Sequence, residues 1–285
     1  MRTRQIAAAV GAAAIAALGM GGTAVAYGPN DGGNGGGGGG HHHRHGHGHG
    51  NGNGNGNGNG NGNGNGNGNG NGNYVGPHWG ELDRNTTGGA SATLRSGPYA
   101  GTTLAPPSGV GSLNISTLAN TKVDFGNEVD FVSHSLATDL AHVGFAVYVT
   151  GEDLATNANN VPVIRLEVDP NLAAAPGNTV NYSSLVFVPN PASLTPNQFT
   201  SIDAADATKG YWYFFNGTVA TQTGCGMNNH CSLATILAQA PAATVLTISV
   251  GKGSDYAFTG AVDNLRINNT VYDFEPNGVY ARPTT

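Results

Sequence analysis

From residue 78 onward, apolar and polar side chains alternate in short runs rich in Val, Ile, Tyr, Phe and Thr, and Gly, Pro and Asn stand between the runs. Ten such runs read as strands: 92–95, 112–117, 122–125, 142–150, 161–169, 184–188, 211–216, 244–250, 262–268 and 270–275. No long 3.6-period stretch separates them, so the pattern predicts an all-β domain over 78–285, built as a single antiparallel β-sandwich. One helical segment interrupts the series, Ser232 to Ala240, stopped by Pro241. It predicts one short helix packed across an end of the sandwich.

Alternation also assigns faces, because successive side chains on a strand point to opposite sides. In 163–169, Ile164, Leu166 and Val168 belong to the core, and Arg165, Glu167 and Asp169 share the other, solvated face. In 211–215, Tyr211, Tyr213 and Phe215 lie opposite Trp212 and Phe214. Strict alternation in 261–267 puts Asp263 on the same face as Leu265 and Ile267, toward the core. A buried carboxylate must be paired, hydrogen-bonded or bound to metal. Two readings of Asp263 follow: a ligand of a structural Ca²⁺, or a turn cap that accepts backbone N–H groups.

The N-terminal quarter has a different pattern. A basic start with Arg2 and Arg4, an apolar run from Ile6 to Leu18, and the small-residue sequence Ala24-Val25-Ala26 predict a secretory signal peptide over 1–26. Residues 27–77 hold almost nothing that can be buried, so they are expected to form a disordered Gly/His/Asn tether. A flexible coil of this size spans about 35–40 Å. His41, His42, His43, His45, His47 and His49 fall within it. Neutral imidazoles on a flexible chain can wrap Zn²⁺, Cu²⁺ or Ni²⁺ weakly; the bland reading is a solvated spacer. No second apolar segment follows, so the mature chain is expected outside the cell or at its surface, without membrane insertion once the signal is cleaved.

Charge narrows the partners. Of 11 Lys and Arg, all but Arg2, Arg4 and Arg44 lie from Tyr74 onward, leaving 8; of 17 Asp and Glu only Asp31 precedes it, leaving 16. A domain with this excess of carboxylates repels phosphate backbones, so nucleic acid is not an expected partner. Cys225 and Cys231, six apart with Gly and Asn between, predict a disulfide that closes a small loop in an oxidising compartment. The rival is a metal site that uses His230 beside Cys231.

The order of Gly111-Ser112-Leu113, Pro162 to Asp169, Gly210-Tyr211-Trp212-Tyr213, the cysteine pair, Val262-Asp263-Asn264-Leu265 and Tyr272-Asp273-Phe274-Glu275-Pro276 resembles a family of secreted bacterial β-sandwich domains. These have the look of lectin-like or carbohydrate-binding jelly rolls. The resemblance covers roughly residues 90–276 and implies a fold rather than an activity; it supplies no catalytic residues.

Three functions compete. A non-enzymatic carbohydrate-binding or adhesive module would use Tyr211 and Tyr213, with Arg165, Glu167 and Asp169 as a polar lining, on an extracellular polysaccharide or cell-wall glycan. A glycoside hydrolase would need a Glu-x-Asp-x-x-Glu strand; Glu167-Val168-Asp169 begins that way, but Pro170 breaks the strand and Leu172 stands where the second Glu belongs. A structural surface protein needs no ligand. None of the three requires a cofactor.

Overall fold

In the computed structural model, residues 73–99, 102–172 and 182–284 are described, and the chain there forms two facing antiparallel sheets. The strands are β1 (Asn73–Tyr74), β2 (Trp79–Glu81), β3 (Ser91–Ser96), β4 (Gly111–Thr117), β5 (Val123–Asn127), β6 (Val143–Tyr148) and β7 (Val163–Asp169). They continue as β8 (Ser183–Pro189), β9 (Phe199–Asp203), β10 (Gly210–Phe214), β11 (Thr244–Lys252), β12 (Phe258–Ile267), β13 (Thr270–Glu275) and β14 (Gly278–Pro283). The first sheet runs β1-β14-β13-β12-β4-β3, with β6 paired to the opposite edge of β12 and β9 beyond it. The second runs β10-β8-β7-β11-β5-β2. The chain passes repeatedly between the two, so the second sheet is complete only with β11 and the first only with β14.

The predicted sandwich is therefore present, with more elements than the pattern revealed. β1, β2, β9 and β14 were not legible as alternating runs. β1 pairs with β14, so Asn73 and Tyr74, inside the segment expected to be a tether to residue 77, are strand residues. Four short helices occur among the described residues where one was expected: α1 (Leu136–Asp139), α2 (Gly151–Thr156), α3 (Gly217–Thr223) and α4 (Leu233–Gln239). The predicted one is α4, capped by Ser232, whose side chain accepts from the Thr235 N–H. α1 and α2 are too short to show a helical period, and α3, as long as α4, is built mostly of Gly, Thr and Gln with only Val219 and Ala220 apolar. They are recognisable only by their caps: the Thr150/Asp153 capping box of α2, and Asn216 before and left-handed Gly224 after α3.

Between the sheets lies one continuous core. Leu113, Ile115, Phe145, Val147, Val262 and Phe274 of the first sheet meet Ile164, Leu166, Phe187, Trp212, Phe214 and Ile248 of the second, all at most 3% exposed. Phe145 and Phe187 touch across the interface at 6.3 Å, edge to face, and Phe187 packs on Trp212 at 5.2 Å. The indole Nε1 of Trp212 donates to the Ala204 carbonyl at 2.7 Å, so its polar atom is satisfied inside the core. Phe187→Ala removes the ring on which both sheets converge. It should lower the unfolding free energy by about 3–5 kcal/mol, measured as a reduced urea midpoint at unchanged slope.

Candidate functional site

The core dictates what β10 presents outward. Trp212 and Phe214 are buried at 1% and 0%, which turns Tyr211, Tyr213 and Phe215 to the outer side of the second sheet. Tyr211 and Tyr213 are half-buried, and Phe215 is 62% exposed. Register then brings sequence-distant residues into rows. Tyr213 pairs with Val186, which pairs with Arg165, which pairs with Ser249. Tyr211 leads through Val188 on one side, and Asp124 lies opposite Gly251 on the other. Glu167 pairs with Ser184 and Thr247.

The edge of β10 is closed by the segment between α3 and α4. Cys225 and Cys231 form the expected disulfide. The Trp212 N–H donates to the Cys231 carbonyl, the Cys231 N–H returns to the Trp212 carbonyl, and the Phe214 N–H donates to the Cys225 carbonyl. This loop lays His230 flat on Tyr211, with ring centres 3.6 Å apart and planes 7° from parallel; Tyr213 lies 6.1 Å away. His230 Nε2 is 2.9 Å from the Met227 carbonyl. A carbonyl only accepts, so Nε2 carries a proton there, and in the neutral ring Nδ1 is left as an acceptor. Beyond Phe215 a shallow depression of about 410 Å³ is lined by Phe215, Ala220, Thr221, Met227 and Asn228.

Arg165 and Glu167 are not a solvated row. Arg165 forms an ion pair with Asp124, which is fully buried. Burial holds the Asp124 carboxyl above its ordinary value, against the pull of Arg165. Glu167 is only 3% exposed. Its Oε1 accepts from Asn85 at 3.0 Å and from the Tyr182 hydroxyl at 2.9 Å, and its Oε2 pairs with Arg84. Burial would raise this carboxyl, but the three donors outweigh it and hold Glu167 below the usual range. Arg84 also reaches Glu128 and the Thr247 hydroxyl. The short turn Asp83–Asn85 thus roofs one end of the sheet face, and Glu167 is its anchor. Alternation could not reveal this, because the roof comes from a segment 82 residues away in sequence. Asp169 has the outward parity expected of it but serves locally: its carboxylate accepts from the Asn171 N–H at 2.8 Å.

Asp263 needs a correction. Val262 pairs with Leu113 and Val147, all core residues, whereas Asp263 pairs with Ala146, which lies outside the core cluster. Asn264 then adopts a left-handed conformation, φ 50°, and the register to β6 shifts between Asp263 and Arg266. This bulge inserts a residue and restores Leu265 to the core. Asp263 is therefore on the outer side of the first sheet, opposite Leu265 and Ile267, and is nevertheless fully buried. Its Oδ1 accepts from the Asn264 N–H at 2.7 Å and the Phe274 N–H at 3.1 Å, as a turn cap would. Its Oδ2 has no hydrogen-bond partner, nor has Oδ1 of the neighbouring Asp273. Arg282 stands alongside, donating to Asn264 Oδ1 at 2.9 Å and to the Ser108 hydroxyl. Burial, reinforced by the Asp273 carboxylate, pushes the Asp263 carboxyl up to about 8.

Among the described residues, no three His, Cys, Asp or Glu side chains are grouped as a metal centre, and no helix is long and apolar enough to cross a membrane. The expected signal peptide and the six histidines of 41–49 lie outside the described residues. Sequence reasoning missed His230 as a member of the aromatic face, weighing it only as a metal ligand. Arg84, Asn85 and Tyr182 were missed altogether.

No known family model and no curated protein sequence matches this chain. Among solved structures, a family 11 carbohydrate-binding module from Clostridium thermocellum, in complex with a β-1,3-1,4-mixed-linked tetrasaccharide, is similar over 67% of this chain and 88% of that one, at 13% identity and a TM-score of 0.34. The family 11 module of a cellulosomal cellulase from the same organism is similar over 67% and 86%, at 12% identity and a TM-score of 0.34. Likenesses this remote carry no argument, and the two-sheet fold stands on the strand pairing alone.

Two outcomes are expected from these polar clusters. Glu167→Ala strands three donors and should cost about 1–3 kcal/mol in urea unfolding, whereas Glu167→Gln, which keeps one acceptor, should cost less. Asp263 holds its proton in the folded chain up to about pH 8, but in the unfolded chain only up to its ordinary value of 3.8. The folded state thus binds the extra proton between those values; its stabilising effect is complete below the lower one and lost as pH rises through the upper. Asp263→Asn retains the Oδ1 acceptor and cannot ionise. Its stability relative to the parent chain should improve steadily across that window, and a constant difference would remove the buried proton from the account.

Proposed function

We propose that this chain is an exported, non-catalytic carbohydrate-binding protein whose binding surface is the outward side of β10 together with His230. The observation that carries the reading is the cluster of Tyr211, Tyr213 and His230. These rings are partly open to solvent, yet are held from beneath by the Trp212 and Phe214 packing and from the side by the disulfide loop. A rigid aromatic ring offers a large apolar contact with little rotamer entropy to lose, which suits the apolar faces of sugar rings. Both Glu167 oxygens are already taken by Arg84, Asn85 and Tyr182, which speaks for a structural carboxylate rather than a nucleophile or proton donor. Export is supported by the signal-like N-terminus and by the disulfide, a bond typical of oxidising compartments. The partner under this reading is an extracellular polysaccharide or a cell-wall glycan.

The test is co-sedimentation with insoluble cellulose, chitin, xylan and purified peptidoglycan. The parent chain should sediment with at least one. Tyr213→Ala, with an unchanged circular dichroism spectrum, should weaken that binding by about 1–2 kcal/mol, roughly tenfold. A parent chain that sediments with none of them ends this reading.

A further inference from the structure

We infer that the ligand of this face is an uncharged, linear polysaccharide segment lying along β10; the inference rests on the carbohydrate-binding reading above and specifies its ligand class. The first ground is the arrangement of rings. Tyr211, Tyr213 and Phe215 alternate outward from one strand, so the rings follow the strand axis rather than encircling a pit. The centres of Tyr211 and Tyr213 are 6.5 Å apart. From Tyr211 to Phe215 the strip extends about 13 Å. That is longer than one sugar ring and matches successive rings of an extended chain. Its two ends differ. At one, His230 covers a face of Tyr211 and, as the neutral ring, offers Nδ1 as an acceptor for a hydroxyl. At the other, Phe215 is open and continues into the depression beside Met227.

The second ground is charge. Recognition of a uronate or a sulfate calls for a cation free to form charge-assisted hydrogen bonds with it. On and beside this face three cations already have a carboxylate. Arg165 is paired with Asp124, and Arg84 spans Glu128 and Glu167. Lys252, itself buried, is paired with Asp255. Lys122 and Lys209 make no ion pair among the described residues, and Lys209, two residues before Tyr211, is the cation an anionic ligand would have to use. An anionic polymer would thus meet mainly balanced pairs on a chain of formal net charge −6, with long-range repulsion instead of steering. Uncharged hydroxyls suffer no such penalty, and the rings supply their contact.

Affinity electrophoresis of the full chain through gels containing soluble neutral polymers (hydroxyethyl cellulose, arabinoxylan, mixed-linkage β-glucan) or acidic ones (polygalacturonate, alginate, hyaluronan) tests this. Retardation by at least one neutral polymer and by no acidic one is expected, with little change on raising the salt concentration. Tyr213→Ala and His230→Ala should each weaken it roughly tenfold, while Lys209→Gln leaves it unaltered. A linear oligosaccharide of the retained polymer should compete, and its monosaccharide should not. Binding confined to acidic polymers and abolished by salt or by Lys209→Gln overturns the inference while sparing the carbohydrate-binding reading. Equal competition by the monosaccharide overturns the linear mode alone. Retardation by no polymer overturns both.

Discussion

Side chains on a strand can point only two ways, so the choice of what is buried between the sheets is also a choice of what is shown outside. Trp212 and Phe214 enter the core, where Trp212 packs on Phe187 and satisfies its indole N–H on Ala204. That commitment leaves Tyr211, Tyr213 and Phe215 no direction but outward. The aromatic face is therefore not an addition to the sandwich. It is held by the same packing that joins the sheets, and it cannot shift by one residue without turning the core inside out.

The outward face is stabilised by a second device. Polar groups on it are engaged with one another rather than with water: Arg165 with Asp124, and Glu167 with Arg84, Asn85 and Tyr182. Pairing a half-covered charge costs less than leaving it unpaired, and each pair ties a distant segment onto the sheet. The disulfide loop does the same at the β10 edge through backbone hydrogen bonds, and in doing so it sets His230 against Tyr211. Roof, edge and rings together give the face a fixed shape.

The first sheet shows where alternation stops being a guide. β12 is paired to β4 along its first half and to β13 along its last three residues, with β6 on its other edge. A strand shared among three partners must absorb a change of register, and the left-handed Asn264 does so. The bulge moves Asp263 from the expected core side to the outer side, where neighbouring chain buries it all the same. The expected burial of this carboxylate was right in extent and wrong in direction. Nothing in Ala261 to Ile267 alone distinguishes the two, because the shift is set by where β4 ends and β13 begins.

The all-β class, ten of the strands, the α4 helix and the cysteine pair were legible in the sequence, because each depends on local periodicity, a cap or a short loop. So was the division of β10 into an inner and an outer set of rings. The strands β1, β2, β9 and β14 were not, since they are short and are strands only through their partners. Tertiary structure alone decided that Arg165 and Glu167 would be paired, that Arg84 and Tyr182 would cover them, that His230 would lie on Tyr211, and that Asp263 would face outward. These all depend on residues far apart in the chain meeting in space, and the period of a single strand carries no information about which partner lies beside it.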